Sequence, residues 1–167
     1  MDSGTTTLDA ADILAAARAA RRDANAAEAR VLAAAVEWAH LHVVADLDDA
    51  ATWWSGSKTM GQDTGVPIAG EGCPLVSEFA IGELATALGL SDASGRNLVA
   101  EALELAHRLP KLWARVQSGS LAPWRARRIA EHTLDLSPVA AGWVDAQVGP
   151  FAHRTGPAQT QRLVQTA

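Results

Sequence analysis

The chain has 167 residues, a formal net charge of −5 at pH 7 and one cysteine. That length suits one domain, or one and a partial second, and it is long enough to bury a core. The single Cys73 excludes an internal disulfide and a zinc knuckle built on paired thiols, and the net acidity is atypical of a general nucleic-acid binder.

Alanine dominates the sequence, at 36 of 167 residues, while Tyr is absent and Phe occurs twice. Alanine has the highest intrinsic helix propensity, and β architectures favour aromatic residues, so we predict an all-α, multi-helix bundle. The first twelve residues lack the basic region and apolar core of a signal peptide, and no apolar run approaches the length of a membrane span. We therefore expect a cytoplasmic protein without a membrane partner.

The first predicted unit is an alanine-rich helical segment, residues 1–45. Residues 8–45 contain neither Gly nor Pro, and the stretch from Asp23 to Asn25 is the weakest point, where one helix could give way to two. Residues 46–74 follow as a Gly/Pro-rich loop, in which Trp53 and Trp54 are candidates for pinning one end to the core.

Residues 75–167 form the second helical region. We predict helices over about 76–88 and from Ser91 or Asp92 to Arg108, with Ser91 as the N-cap of the second. The 4-3-4 spacing of four apolar residues predicts the buried seam of that second helix: Leu98, Ala102, Leu105 and Leu109. Further helices are predicted over 110–117, from about 121, from 138 to about 149, and near the end of the sequence. The last pattern stops without a C-cap, as expected of a chain truncated at its C-terminus.

The corner at about 78–108 is similar to a helix-turn-helix. Ala85 and Gly89 suit the small residue and the turn glycine of such a unit, whereas Gly95 stands where a branched apolar residue is usual. In this register the second helix offers Arg96 and Asn97 to a DNA groove. The alternative is a purely structural corner between two helices.

A basic run provides the other candidate contacts with nucleic acid. Residues 108–128 hold six cations and no carboxylate, which leaves eight cations and 19 acidic residues elsewhere. Cations neutralise phosphates, and aromatic side chains stack on bases. The candidates in this run are Arg108, Lys111, Arg115, Arg125, Arg127 and Arg128. Two alternatives stay open: the arginines pair with the acidic N-terminal helices, and Trp113 and Trp124, which lie at helical spacing from apolar neighbours, belong to the core.

Signatures of catalysis and of metal binding are weak in this sequence. Gly-x-Ser-x-Gly, a phosphate-binding loop and a complete calcium loop do not occur. Glu104 and His107, three residues apart, are a weak metal signal at best. We therefore assign no catalytic residue, no metal ligand and no cofactor, and favour a non-enzyme.

The stretch 78–137 closely resembles the domain of unknown function 222, the N-terminal helical region of many actinobacterial HNH-endonuclease-type proteins, including the 13E12 repeat family. The resemblance rests on four pieces in the same order, an "ELATALGLS" turn, an "AHRLP" helix end, a "GSL" break and "RARRIAEHTL", at residues 83–91, 106–110, 119–121 and 125–134.

In that family an HNH nuclease module usually follows the helical region, with paired histidines, an asparagine and often Cys-x-x-Cys pairs. This sequence lacks that constellation, so the resemblance implies association with DNA-processing proteins, with an HNH module encoded downstream as one possible partner. The leading prediction is that the chain associates with nucleic acid, with DNA as the candidate partner, without catalysing a reaction. The alternative is a helical interaction module that forms a homo-oligomer through residues 8–45.

Overall fold

The structure, a computed structural model, describes residues 9–44, 65–154 and 156–166. Within these ranges the fold is all-α, as predicted, with one short antiparallel strand pair and a 3₁₀ turn at Gly149–Phe151. The elements in chain order are α1 (Ala10–Leu41), β1 (Gly65–Val66), β2 (Val76–Ser77), α2 (Glu78–Ala87), α3 (Asp92–Arg108), α4 (Pro110–Gln117), α5 (Pro123–Thr133), α6 (Pro138–Val148) and α7 (Pro157–Val164). Residues 46–64 of the predicted loop, with Trp53 and Trp54, lie outside the described residues.

Helix α1 is continuous through the predicted weak point at 23–25. Asp9 caps it, and a reciprocal pair of hydrogen bonds between Asp9 and Asp12 forms a capping box at its N-terminus. The alanine-rich sequence without Gly or Pro gives the helix no reason to break. Within the described part of the chain, its second half is the packed one, through five buried residues: Ala29, Leu32, Ala35, Val36 and Ala39.

The strand pair fastens the end of α1 to the start of α2. Val66 lies opposite Val76, and Val43 forms an isolated bridge to the same Val76. The Ser77 amide donates to the carbonyl of His42, and the Ser77 hydroxyl caps α2. Strands of two residues are too short to show a period-two pattern, so the sequence did not predict them.

The predicted corner is present as α2, a tight turn and α3. Gly89 has a φ of 65°, the left-handed conformation that glycine adopts at little cost, and Ser91 caps α3 as predicted. A Cβ on Gly95 would lie 2.4 Å from the Cβ of Ala85. Gly95 therefore fills its position because α2 and α3 approach each other closely, which explains its departure from the usual helix-turn-helix pattern.

Helix α3 is the centre of the bundle and contacts α1, α2, α4, α5 and α6. The predicted seam is confirmed, because all four of its residues are buried. The neighbouring helices close the core around that seam with apolar side chains that include Leu112, Val116, Leu121, Ile129, Val144 and Val148.

Candidate nucleic-acid interface

Arg108, the first candidate cation, is part of the core. Its guanidinium forms an ion pair with Glu104 at 2.8 Å, and it also donates to the carbonyls of Thr133, at the end of α5, and of Leu134 and Leu136, which follow it. The Glu104 carboxylate accepts further bonds from the Thr133 hydroxyl and the Gly70 amide. The prediction that Arg108 contacts phosphate is therefore corrected: burial and these partners hold the side chain inside the protein.

Arg115 and Arg127 also act largely within the molecule. Arg115 donates to the carbonyls of Gly149 and Ser120, which ties the end of α4 to the end of α6. Arg127 forms ion pairs with Glu101 on α3 and Glu28 on α1, and both carboxylates are partly buried. The pairing of arginines with acidic N-terminal helices, one of the predicted alternatives, therefore occurs for Arg127.

Lys111 lies at the exposed start of α4. Its backbone amide and that of Leu112 donate to the two carboxylate oxygens of buried Asp145, each at 3.0 Å. Asp145 thereby caps α4, because the N-cap residue of this helix, Leu109, has no side-chain acceptor. The Lys111 ammonium makes no ion pair or hydrogen bond with any described residue. It remains available to an anion from solution.

The solvent face of α5 carries an aromatic ring and two cations. Trp124 is 51% exposed, which corrects the expectation that it belongs to the core, whereas Trp113 packs against the core as expected. The Arg125 guanidinium carbon lies 4.6 Å from the centroid of the Trp124 ring. Arg128, one turn further on the same face, is mostly exposed and forms a surface ion pair with Glu131 at 3.0 Å.

The corner candidates lie apart from this surface. Arg96 pairs with Glu78 on α2 at 2.7 Å, and Asn97 is exposed without a described partner. Arg96 lies in the second turn of α3, and this helix continues for about 18 Å to Arg108 before α4 and Lys111 follow. The eight candidates therefore do not converge on one surface.

Two other groups have distinctive chemistry. The Nε2 atoms of His40 on α1 and His107 on α3 lie 3.0 Å apart, and partial burial and the His40 charge lower the pKa of His107. Burial, reinforced by Glu104, raises the pKa of Cys73 to about 11. No set of three or more His, Cys, Asp or Glu side chains among the described residues is placed to hold a metal ion.

Sequence reasoning missed three exposed arginines in the first half of α1, namely Arg18, Arg21 and Arg22. They make no ion pair or hydrogen bond with any described residue. Helical periodicity puts them on one face, and this signal was available in the sequence.

The fold and these surfaces define an all-α domain with cations on the solvent face of α5 and on the first half of α1. None of the helices in the described part of the chain combines the length and apolar character that crossing a membrane requires. No protein-family model, curated protein or solved structure matches the chain.

Proposed function

We propose that this chain is a non-catalytic helical domain that associates with nucleic acid through α5. The observation that carries the proposal is the half-exposed Trp124, with Arg125 against its ring and Arg128 one turn further along. An aromatic ring beside two cations is the combination that stacks on a base while neutralising adjacent phosphates.

The charge distribution supports this placement. The start of α5 has no acidic residue in its first turn, and the helix N-terminus adds a partial positive charge there. The acidic remainder of the chain repels phosphate, so the same distribution orients a polyanion towards α5 and Lys111. Single-stranded nucleic acid is the form whose bases are accessible to Trp124.

The resemblance to the HNH-associated helical region gives this proposal its context. A cytoplasmic domain that binds nucleic acid would present the bound nucleic-acid strand to a nuclease module encoded downstream. The domain itself would then need no catalytic residue. Supporting this proposal are the half-exposed Trp124 ring, with the partly buried Arg125 against it, and the exposed Arg128 on α5.

The proposal is tested by titrating fluorescent single-stranded and duplex oligonucleotides with the full chain. Trp124→Ala and the double change Arg125→Glu with Arg128→Glu should each weaken binding. Arg127 is left unchanged, because its ion pairs stabilise the fold. The matched controls are Trp143→Ala, which removes another exposed tryptophan, and Arg154→Glu with Arg162→Glu, which makes the same charge change elsewhere.

A second candidate function is self-association through α1. None of residues 10–27 is buried, and Ile13 is 56% exposed within a stripe of alanines at three- and four-residue spacing. Sedimentation of the full chain over a concentration series tests this candidate. A dimer that Ile13→Glu with Ala20→Glu converts to a monomer supports it, and a monomer at every concentration contradicts it.

A further inference from the structure

The first half of α1 projects from the bundle as a helix that packs against none of the other described residues. We call residues 10–27 the overhang; within it only Ala19 and Asn25 are even partly shielded from solvent. At 1.5 Å per residue the overhang is about 27 Å long. Isolated helices in water gain little from propensity alone, so an unpacked helix of this length is a surface from which a partner would gain contacts.

The charges of the overhang are segregated by face. At 100° per residue, Arg18, Arg21 and Arg22 fall within an arc of about 100°, and Asn25 lies inside the same arc. The acidic residues Asp9, Asp12 and Asp23 cluster nearly opposite. The guanidinium groups therefore project together from one side of the helix, and the carboxylates from the other.

The base of the overhang lies beside α5. Glu28, the next acidic residue, is paired with Arg127, and the Gln117 side chain bonds to the carbonyl of Ala29. The arginines lie on the same side of α1 as its buried residues, including Leu32 and Val36, but nearer the N-terminus, where the helix extends past the bundle. The overhang thus turns its cations towards the side on which the body lies.

We propose that the arginine face of the overhang binds in the major groove of duplex DNA. The inference rests on the proposed nucleic-acid association but uses a different surface. The major groove admits one α-helix, and the alanines around the arginines keep this helix narrow. Arginine pairs with guanine and with phosphate, asparagine pairs with adenine, and the opposite acidic face would point out of the groove.

Charge complementarity favours DNA over a second copy of the chain as the occupant of this face. A two-fold dimer through this face would set the arginines of one copy against those of the other, which repel each other. Packing them on the acidic face of another copy is a head-to-tail contact, which does not close into a two-fold dimer. The phosphates that flank a groove supply the negative charge that these side chains lack among the described residues.

The test compares duplex binding by the full chain with binding by a variant carrying Arg18→Glu, Arg21→Glu and Arg22→Glu. A matched control carries Arg30→Glu, Arg154→Glu and Arg162→Glu, the same charge change at exposed positions away from this face. A neutral variant with glutamine at 18, 21 and 22 separates lost contacts from added repulsion. Circular dichroism verifies that each variant keeps its helix content.

We expect the overhang variant to bind duplex DNA on the order of tenfold or more weakly. The slope of log K against log salt concentration should become shallower by about 2 to 3, whereas affinity and slope should change little in the control. Duplex binding should also slow amide hydrogen exchange in residues 10–27. A major-groove ligand such as methyl green should compete, and the minor-groove ligand netropsin should not.

Equal losses in the overhang variant and the control would overturn the inference, as would unchanged exchange in residues 10–27. If only the α5 variants lose affinity, the overhang inference fails and the proposed function stands. If the unsubstituted chain binds neither single strands nor duplex at low salt, both fail. A dimer that the overhang variant dissolves would assign the face to a protein partner instead.

Discussion

Glu104 and Arg108, one turn apart on α3, form an ion pair whose side chains are 0% and 4% exposed, with Nη1 and Oε2 2.8 Å apart. The pair links α3 to the loop at Gly70, to the end of α5 and to the residues after it. Gly70 and Thr133 donate to the carboxylate, and the carbonyls of Thr133 and Leu136 accept from the guanidinium. A buried charge that keeps its partner is tolerated, whereas one that loses its partner is strongly destabilising.

We therefore expect Glu104→Ala to lower the free energy of unfolding by about 3 to 5 kcal/mol, because it leaves the Arg108 charge buried and unpaired. Glu131→Ala, which breaks the exposed pair with Arg128, should cost less than about 1 kcal/mol. Urea unfolding followed by circular dichroism measures both. Similar losses in the two variants would contradict the structural role of the buried pair.

The close approach at the corner gives a second prediction. Gly95→Ala should destabilise the protein by about 1 to 3 kcal/mol, because the new methyl group would overlap the Cβ of Ala85. Adding Ala85→Gly should restore part of the loss. In Gly82→Ala the new methyl group meets nothing within 4 Å inside α2, so this control should be neutral or stabilising by up to about 1 kcal/mol. Thermal unfolding of these three variants and the unsubstituted protein is the measurement, and a neutral Gly95→Ala would contradict the contact.

The histidine pair predicts a dependence of stability on pH. Partial burial and His40 lower the pKa of His107 in the folded state, so the unfolded chain binds its proton more tightly. The contribution of neutral His107 to stability is therefore present at a pH above 6.5, the ordinary histidine pKa, and is lost as the pH falls below that value. Between pH 7.5 and 5.5 we expect His107→Gln to flatten the decline in unfolding free energy, and His40→Gln to flatten it less. Parallel declines in His107→Gln and the unsubstituted protein would exclude this linkage.

The thiol of Cys73 should react slowly in the folded protein. Burial raises its pKa to about 11, and the thiolate is the species that attacks a disulfide reagent. At pH 8 we expect the rate with a chromogenic aromatic disulfide to be about tenfold or more below the rate in urea. Equal rates in the two conditions would show that the thiol is accessible and unperturbed.

The sequence predicted helix positions better than it predicted which side chains reach the surface. The Ser91 cap and the α3 seam follow from local rules of capping and periodicity, and both are confirmed. Whether Trp124 is buried depends on which face of α5 packs against the core. The spacing of Trp124 from apolar neighbours in the sequence does not determine that face.

The buried pair shows the same limit for charge. Arg108 carries the same formal charge as Arg128, yet one lies in the core and the other at the surface. The difference comes from Thr133 and Gly70, which lie far from Arg108 in the chain and meet it only in the fold. A run of cationic residues in a sequence therefore gives the number of charges but does not show which of them reach the surface.

Salt-dependent binding of a fluorescent single-stranded oligonucleotide tests the central claim, nucleic-acid association through α5, most directly. For a variant combining Trp124→Ala, Arg125→Glu and Arg128→Glu we expect affinity to fall at least about tenfold, with a shallower dependence of log K on log salt concentration. The matched variant with Trp143→Ala, Arg154→Glu and Arg162→Glu should bind like the unsubstituted chain. Affinity that ignores both salt and the α5 changes would contradict the account.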